Sequence, residues 1–116
     1  MTTLYGISNC DTIKKARKWL EENNIAYTYH DFRRDGIEKN TIEQWCQQVD
    51  WQILLNRRGT TWRKLDPVIQ QQVDRDNVAQ LLTDHPAMIK RPVLVHHNTL
   101  TVGFTADDYQ TLFANS

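Results

Sequence analysis

Cys10 stands between an alternating segment, Thr3-Leu4-Tyr5-Gly6-Ile7, and a stretch with helical periodicity that starts at Thr12. The first turn of a helix offers free N–H groups and about half a positive charge, and both favour a thiolate over a thiol. Such a position pulls a cysteine below its free value of about 8.5, and the thiolate is the nucleophilic form. Lys14, Lys15, Arg17 and Lys18 crowd the same end of the helix, where cations oppose the macrodipole and so point to an anion nearby. Arg17 and Lys18 read as a solvated face, whereas Lys14 lies one turn beyond Cys10 and reaches its side. Asp11 works the other way, because a negative charge beside the sulfur disfavours the thiolate. The competing reading of Cys10 is an inert small apolar residue; its place in a turn between Asn9 and Asp11 favours the reactive one.

Two basic segments lie downstream. In Lys90-Arg91-Pro92-Val93-Leu94-Val95, the guanidinium of Arg91 immediately precedes a strand-like run. It can grip a carboxylate, phosphate or oxyanion bidentately, or stand exposed at a strand edge. Pro92 suits the first position of a strand, and since only about 5–6% of X–Pro bonds are cis, nothing local argues for cis here. Arg57, Arg58, Arg63 and Lys64 flank Gly59-Thr60-Thr61, whose backbone amides could help cradle an anion. Cys46 shares an apolar helix face with Ile42, Trp45 and Val49 and reads as core. His96-His97 lies in a turn with no Cys or carboxylate cluster at ligand spacing, so no metal site is expected. No Ser-His-Asp signature, P-loop or GxGxxG is present.

The elements that position these residues follow from periodicity. Thr3 to Ile7 predicts a strand, Thr12 to about Glu22 an amphipathic helix, and Ala26 to Phe32 a second strand, together a βαβ-sized unit. Arg33 to Asn40 reads as a polar loop. Ile42 to Val49 predicts a helix, Trp51 to Leu55 a short helical or turn segment, and Asn77 to Thr83 another helix. Asp66-Pro67 marks a helix start, with Asp66 as cap and Pro67 in the first turn. Pro92 to His96 and Thr99 to Phe104 form a hairpin across His97-Asn98. Thr105 then caps a C-terminal helix that carries Asp107 and Asp108 in its first turn. The order β-α-β, helices over about 37–90, then β-β-α is the thioredoxin-like order, an α/β fold with a mixed sheet, read as one domain over 1–116.

The 116 residues carry 14 basic and 14 acidic side chains. No global field is available to hold a nucleic acid or an anionic membrane, and no apolar run reaches the roughly 18 residues of a membrane span. The N-terminus shows no basic-then-apolar signal pattern, so a cytoplasmic location with both cysteines reduced is expected. Two cysteines outside a CxxC pair favour a monothiol mechanism that needs an external thiol.

Leu4-Tyr5-Gly6-Ile7-Ser8-Asn9-Cys10-Asp11-Thr12-Ile13-Lys14-Lys15-Ala16 resembles the opening of the arsenate reductase/Spx-like (ArsC) family, most of all its YffB-type branch. Leu55-Asn56-Arg57-Arg58-Gly59-Thr60-Thr61-Trp62-Arg63-Lys64-Leu65, Ile89-Lys90-Arg91-Pro92-Val93-Leu94-Val95 and Val102-Gly103-Phe104 match the same branch. The resemblance implies that Cys10 is the nucleophile, Arg91 an oxyanion-binding arginine and Pro92 a cis-proline facing the cysteine. Asn9 and Lys14 join them as candidates for binding an oxyanion or thiol substrate. An arginine of the family's anion site aligns with Asn56, Arg57 or Arg58, and Arg58 is taken. The implied chemistry is a thiol reductase with glutathione as co-substrate, no tightly bound cofactor, and glutaredoxin as a possible partner. Arsenate reduction and a non-enzymatic, Spx-like role in protein binding are the alternatives. Phe104 stands where arsenate reductases carry a further arginine, and Lys14 where they carry another. Ile13 occupies the second position of the CxxC found in many Spx proteins.

Overall fold

The computed structural model describes residues 1–8 and 10–114 of the chain. They fall into two compact units, Met1–Arg34 with Arg91–Ser116, and Asp35–Lys90. The first unit holds β1 (Thr2–Gly6), α1 (Asp11–Glu22), β2 (Thr28–Asp31) and α2 (Phe32–Asp35), then β3 (Val93–His96), β4 (Thr99–Val102) and α8 (Ala106–Ala114). Its sheet runs β2-β1-β3-β4. The β1–β2 pair is parallel, and the β1–β3 and β3–β4 pairs are antiparallel. This is the mixed thioredoxin-like α/β sheet expected from the element order.

One face of the sheet is closed by the two long helices of the unit. Ile13, Ala16 and Leu20 are the buried stripe of α1, and Leu4, Ala16, Leu20, Leu94 and Tyr109 make one buried cluster. Tyr109 of α8 is fully buried, and burial pushes its hydroxyl far above the usual phenol range. Phe104 meets its ring edge-on with centroids 4.7 Å apart. Phe104 thus packs on the core. At the outer edge, the Arg17 guanidinium lies 4.3 Å from the Tyr29 ring centroid, and Arg34 Nη2 donates to the Tyr29 carbonyl at 3.1 Å.

Several terminators act as the sequence predicts. Asp66 accepts the Val68 N–H at 2.9 Å and so caps α6 (Pro67–Gln72). The Thr105 hydroxyl accepts the Asp108 N–H at 3.1 Å at the start of α8. His97 takes a left-handed φ of 54° in the two-residue turn between β3 and β4. Residues 33–40 are not all loop, however. Asp31 accepts the N–H groups of Arg33 and Arg34, which winds the chain into α2, and α3 (Lys39–Gln48) begins before the segment ends.

The second unit is helical throughout, with α3, α4 (Trp51–Leu54), α5 (Thr60–Arg63), α6, α7 (Val78–Asp84) and a 3₁₀ turn over Pro86–Met88. Ile42, Trp45 and Cys46 form the buried face of α3, which packs against α7. The middle of the unit is tied to its C-terminal end by a bridge between Leu55 and Ile89. Asn56 N–H donates to the Met88 carbonyl at 2.8 Å, and Lys90 N–H to the Leu54 carbonyl at 2.7 Å. Among the described residues no helix is long and apolar enough to cross a membrane.

Gly6 sets how closely α1 approaches β1. A Cβ there would lie 2.8 Å from Ile13 Cγ1 and closer still to Cδ1, well inside van der Waals contact. Gly6→Ala should therefore cost about 1–3 kcal/mol by overpacking. The double variant Gly6→Ala/Ile13→Ala should cost less than the sum of its parts, since the added methyl then enters space vacated by Ile13. Urea unfolding of the four proteins measures both terms.

Candidate functional site

Cys10 is the N-cap residue of α1, with φ −93° and ψ 128°. Its carbonyl accepts the Lys14 N–H at 3.1 Å, the first hydrogen bond of the helix. Its side chain is partly exposed and lies near the N–H groups of the first turn without closing a full capping hydrogen bond. Burial pushes the thiol up, but the polarity of the nearby Ile13 N–H, Arg91 guanidinium and Thr12 N–H, with the charge of Arg91, outweighs it. The net shift is downward from the ordinary thiol value. The two N–H groups are orphans of the first helical turn, which a sulfur anion satisfies.

Arg91 arrives from the sheet. β3 runs antiparallel to β1 with Tyr5 opposite Val93, so the start of β3 lies beside the end of β1, where the chain departs for Cys10. The Arg91–Pro92 peptide is cis. Pro92 is buried, and its carbonyl accepts the Gly103 N–H at 2.8 Å. Gly103 has φ +84°, a conformation that favours glycine. The closing Val102-Gly103-Phe104 motif therefore anchors the strand start that carries Arg91.

The candidate residues divide by this geometry. Cys10, Arg91 and Pro92 stand in one unit, where Arg91 reaches the sulfur. Lys14 is in the same unit and exposed, and it is Arg91 whose charge bears on the thiol. Asn9 lies outside the described residues. Arg58 belongs to the second unit, where it lines a pocket of about 270 Å³ with Leu55, Asn56, Arg57 and Lys90. The Arg58 N–H donates to Asn56 Oδ1 at 3.1 Å. Arg57 lies 5.8 Å from the ring centroids of both Trp51 and Trp62, a double cation–π arrangement. Cys46 is buried, and burial, opposed by Arg75, pushes its thiol up. A larger cleft of about 510 Å³ opens at the far end of β3, lined by His96, His97 and Thr101 among others. Among the described residues no group of three or more His, Cys, Asp or Glu is placed to hold a metal ion.

Asp31, the last residue of β2, is a feature that sequence reading missed. It is 6% exposed and pairs with Gly6 across the sheet. Its Oδ2 accepts the Ser8 hydroxyl at 2.6 Å and the Ser8 N–H at 3.3 Å. The Ser8 hydroxyl bond, opposed by burial and joined by the N–H groups of Arg33, Arg34 and Ser8, holds its carboxyl below the usual range. A lone Asp after a short strand carries no local sign of this role.

The chain matches the ArsC family model over residues 5–112. It superimposes on the structure of the YFFB protein with a TM-score of 0.92 and 44% identity, covering 96% of this chain and 97% of that one. An arsenate reductase (ArsC) related protein from Brucella melitensis gives a TM-score of 0.76 at 45% identity, over 97% of this chain and 93% of that one. The global transcriptional regulator Spx 1 of Oceanobacillus iheyensis is 28% identical over 110 residues, spanning 93% of this chain and 83% of that protein. Family model, relatives and architecture agree: the chain belongs to the ArsC family.

Proposed function

We propose that this protein is a glutathione-dependent thiol reductase that works through a single nucleophilic cysteine, Cys10. The observation that carries the reading is the partly exposed Cys10 at the N-cap of α1, with the start of β3 and Arg91 brought to the same end of the sheet; the downward direction of its thiol agrees with that placement. Cys10 thiolate would attack one sulfur of a disulfide substrate. A Cys10–sulfur bond forms, the substrate S–S bond breaks, and the departing thiolate takes up a proton. Glutathione thiolate would then attack the mixed disulfide, forming a glutathione–substrate disulfide and returning Cys10 as thiolate. The reducing electrons come from the external thiol, with glutaredoxin as the natural consumer of the product. No tightly bound cofactor is called for, and the location that supplies reduced glutathione is the cytoplasm.

Arg91 would hold the anionic part of the ligand beside the sulfur. The pocket of Asn56, Arg58 and Lys90 suits a carboxylate or an oxyanion in its own right. Asn9 and Lys14 remain candidates for the same ligand, with Pro92 as the wall facing the cysteine. Two departures from the arsenate reductase pattern, Phe104 and Lys14 in place of arginines, rank arsenate reduction below reduction of a disulfide. Similarity to the regulator Spx 1 favours a second reading, a protein-binding role that needs no thiol. Phenotypic complementation by Cys10→Ser would separate it from both enzyme readings.

Incubation with oxidised glutathione should give one adduct by mass spectrometry, on Cys10, released by reduced glutathione and absent in Cys10→Ser. An adduct on Cys46 alone, or none, would sink the reductase reading. Arg91→Ala removes a polar N–H group and a positive charge from beside the thiolate, so the Cys10 titration should move up. Alkylation near pH 7 should then slow about tenfold for each unit of that shift, while the rate near pH 10, where the thiol is ionised in both proteins, should stay close to wild type.

A further inference from the structure

We infer that Asp31 and Ser8 form a positioning clamp for Cys10, a role that rests on the reading of Cys10 as the nucleophile. Ser8 stands two residues before Cys10 in the segment that leaves β1 for α1. It is exposed, so water would satisfy its hydroxyl. Instead that hydroxyl and the Ser8 N–H both donate to one oxygen of a buried carboxylate, at 2.6 and 3.3 Å. The shorter bond has the length of a charge-assisted O–H···O⁻ contact, roughly twice as strong as a neutral one. The other carboxylate oxygen accepts the Arg33 and Arg34 N–H groups at 2.8 and 3.4 Å. One side chain at the end of β2 thus ties down the segment before Cys10 and the turn that follows its own strand.

The consequence for the thiol is geometric. The N–H groups of Thr12 and Ile13 stabilise the sulfur only while Cys10 stays at the N-cap position, and a preorganised site needs its supporting loop held. A clamp role and a charge role for Asp31 would act on the thiol with opposite signs. A nearby carboxylate disfavours a thiolate through space, so neutralising Asp31 by charge alone would lower the Cys10 titration. Loss of the clamp would let the segment drift and raise it. The charged group that bears on the sulfur directly is Arg91, which every variant below leaves in place.

The test is the pH dependence of iodoacetamide alkylation at Cys10 in the full chain, with peptide mass spectrometry separating Cys10 from Cys46. Ser8→Ala and Asp31→Asn should both raise the inflection by on the order of half a pH unit or more. Ser8→Thr, which keeps the hydroxyl, should restore the wild-type profile. Ser8→Ala leaves Asp31 the N–H groups of Ser8, Arg33 and Arg34, so it should lower the thermal midpoint by less than Asp31→Asn and keep the test readable even if Asp31→Asn folds poorly. A wild-type inflection at the free-thiol value of about 8.5 would overturn the reading of Cys10 and the clamp with it. A lowered wild-type inflection that Ser8→Ala leaves unmoved would overturn the clamp alone, and so would a downward shift in Asp31→Asn.

Discussion

A sulfur anion at the start of a helix is held by the N–H groups aimed at it, and their aim is fixed by where the helix axis lies. Here the axis of α1 is set by packing, with Ile13, Ala16 and Leu20 as its buried stripe and Ala16 and Leu20 joined to Leu4, Leu94 and Tyr109. The absent side chain at Gly6 lets Ile13 descend onto β1. The same Ile13 supplies one of the N–H groups that lower the Cys10 thiol. Core packing and thiol chemistry therefore meet in a single residue, whose side chain serves the first and whose backbone serves the second.

The partner cation reaches the sulfur by sheet topology and not by sequence distance. Antiparallel pairing of β3 with β1 brings the residues before Val93 to the end of β1. The Gly103 N–H, held in a left-handed conformation, fixes the Pro92 carbonyl at 2.8 Å. The motif around Arg91 and the motif around Gly103 are thus two halves of one support.

Legibility in the sequence followed the range of the interaction. The caps at Asp66 and Thr105 and the two-residue turn at His97-Asn98 are local, encoded within about three residues, and they stand where residue type alone put them. The placement of Cys10 at a helix start was equally local. Lys14 and Arg91 were both visible as cations for the Cys10 site, but which of them bears on the sulfur depends on strand pairing, which brings Arg91 there while Lys14 stays exposed. The helical turn Phe32–Asp35 was missed because its cap, Asp31, looks like any strand-end aspartate. Its bond to Ser8 spans 23 residues, a separation at which residue spacing carries no signal. Around the three positions between which the family alignment was open, Asn56, Arg57 and Arg58, the side chains have different partners. Arg57 is engaged by Trp51 and Trp62, whereas Asn56 turns its side chain to the Arg58 backbone.

β2 is an edge strand, and the Arg34 guanidinium sits on one of its backbone carbonyls. An exposed strand edge is a template for pairing with another chain. Here a second molecule seeking to extend the sheet would have to strip a charged donor from the Tyr29 carbonyl. It would also have to pass the Tyr29 ring, against which Arg17 is stacked. The arginines at this edge thereby place positive charge where a fifth strand would have to pair.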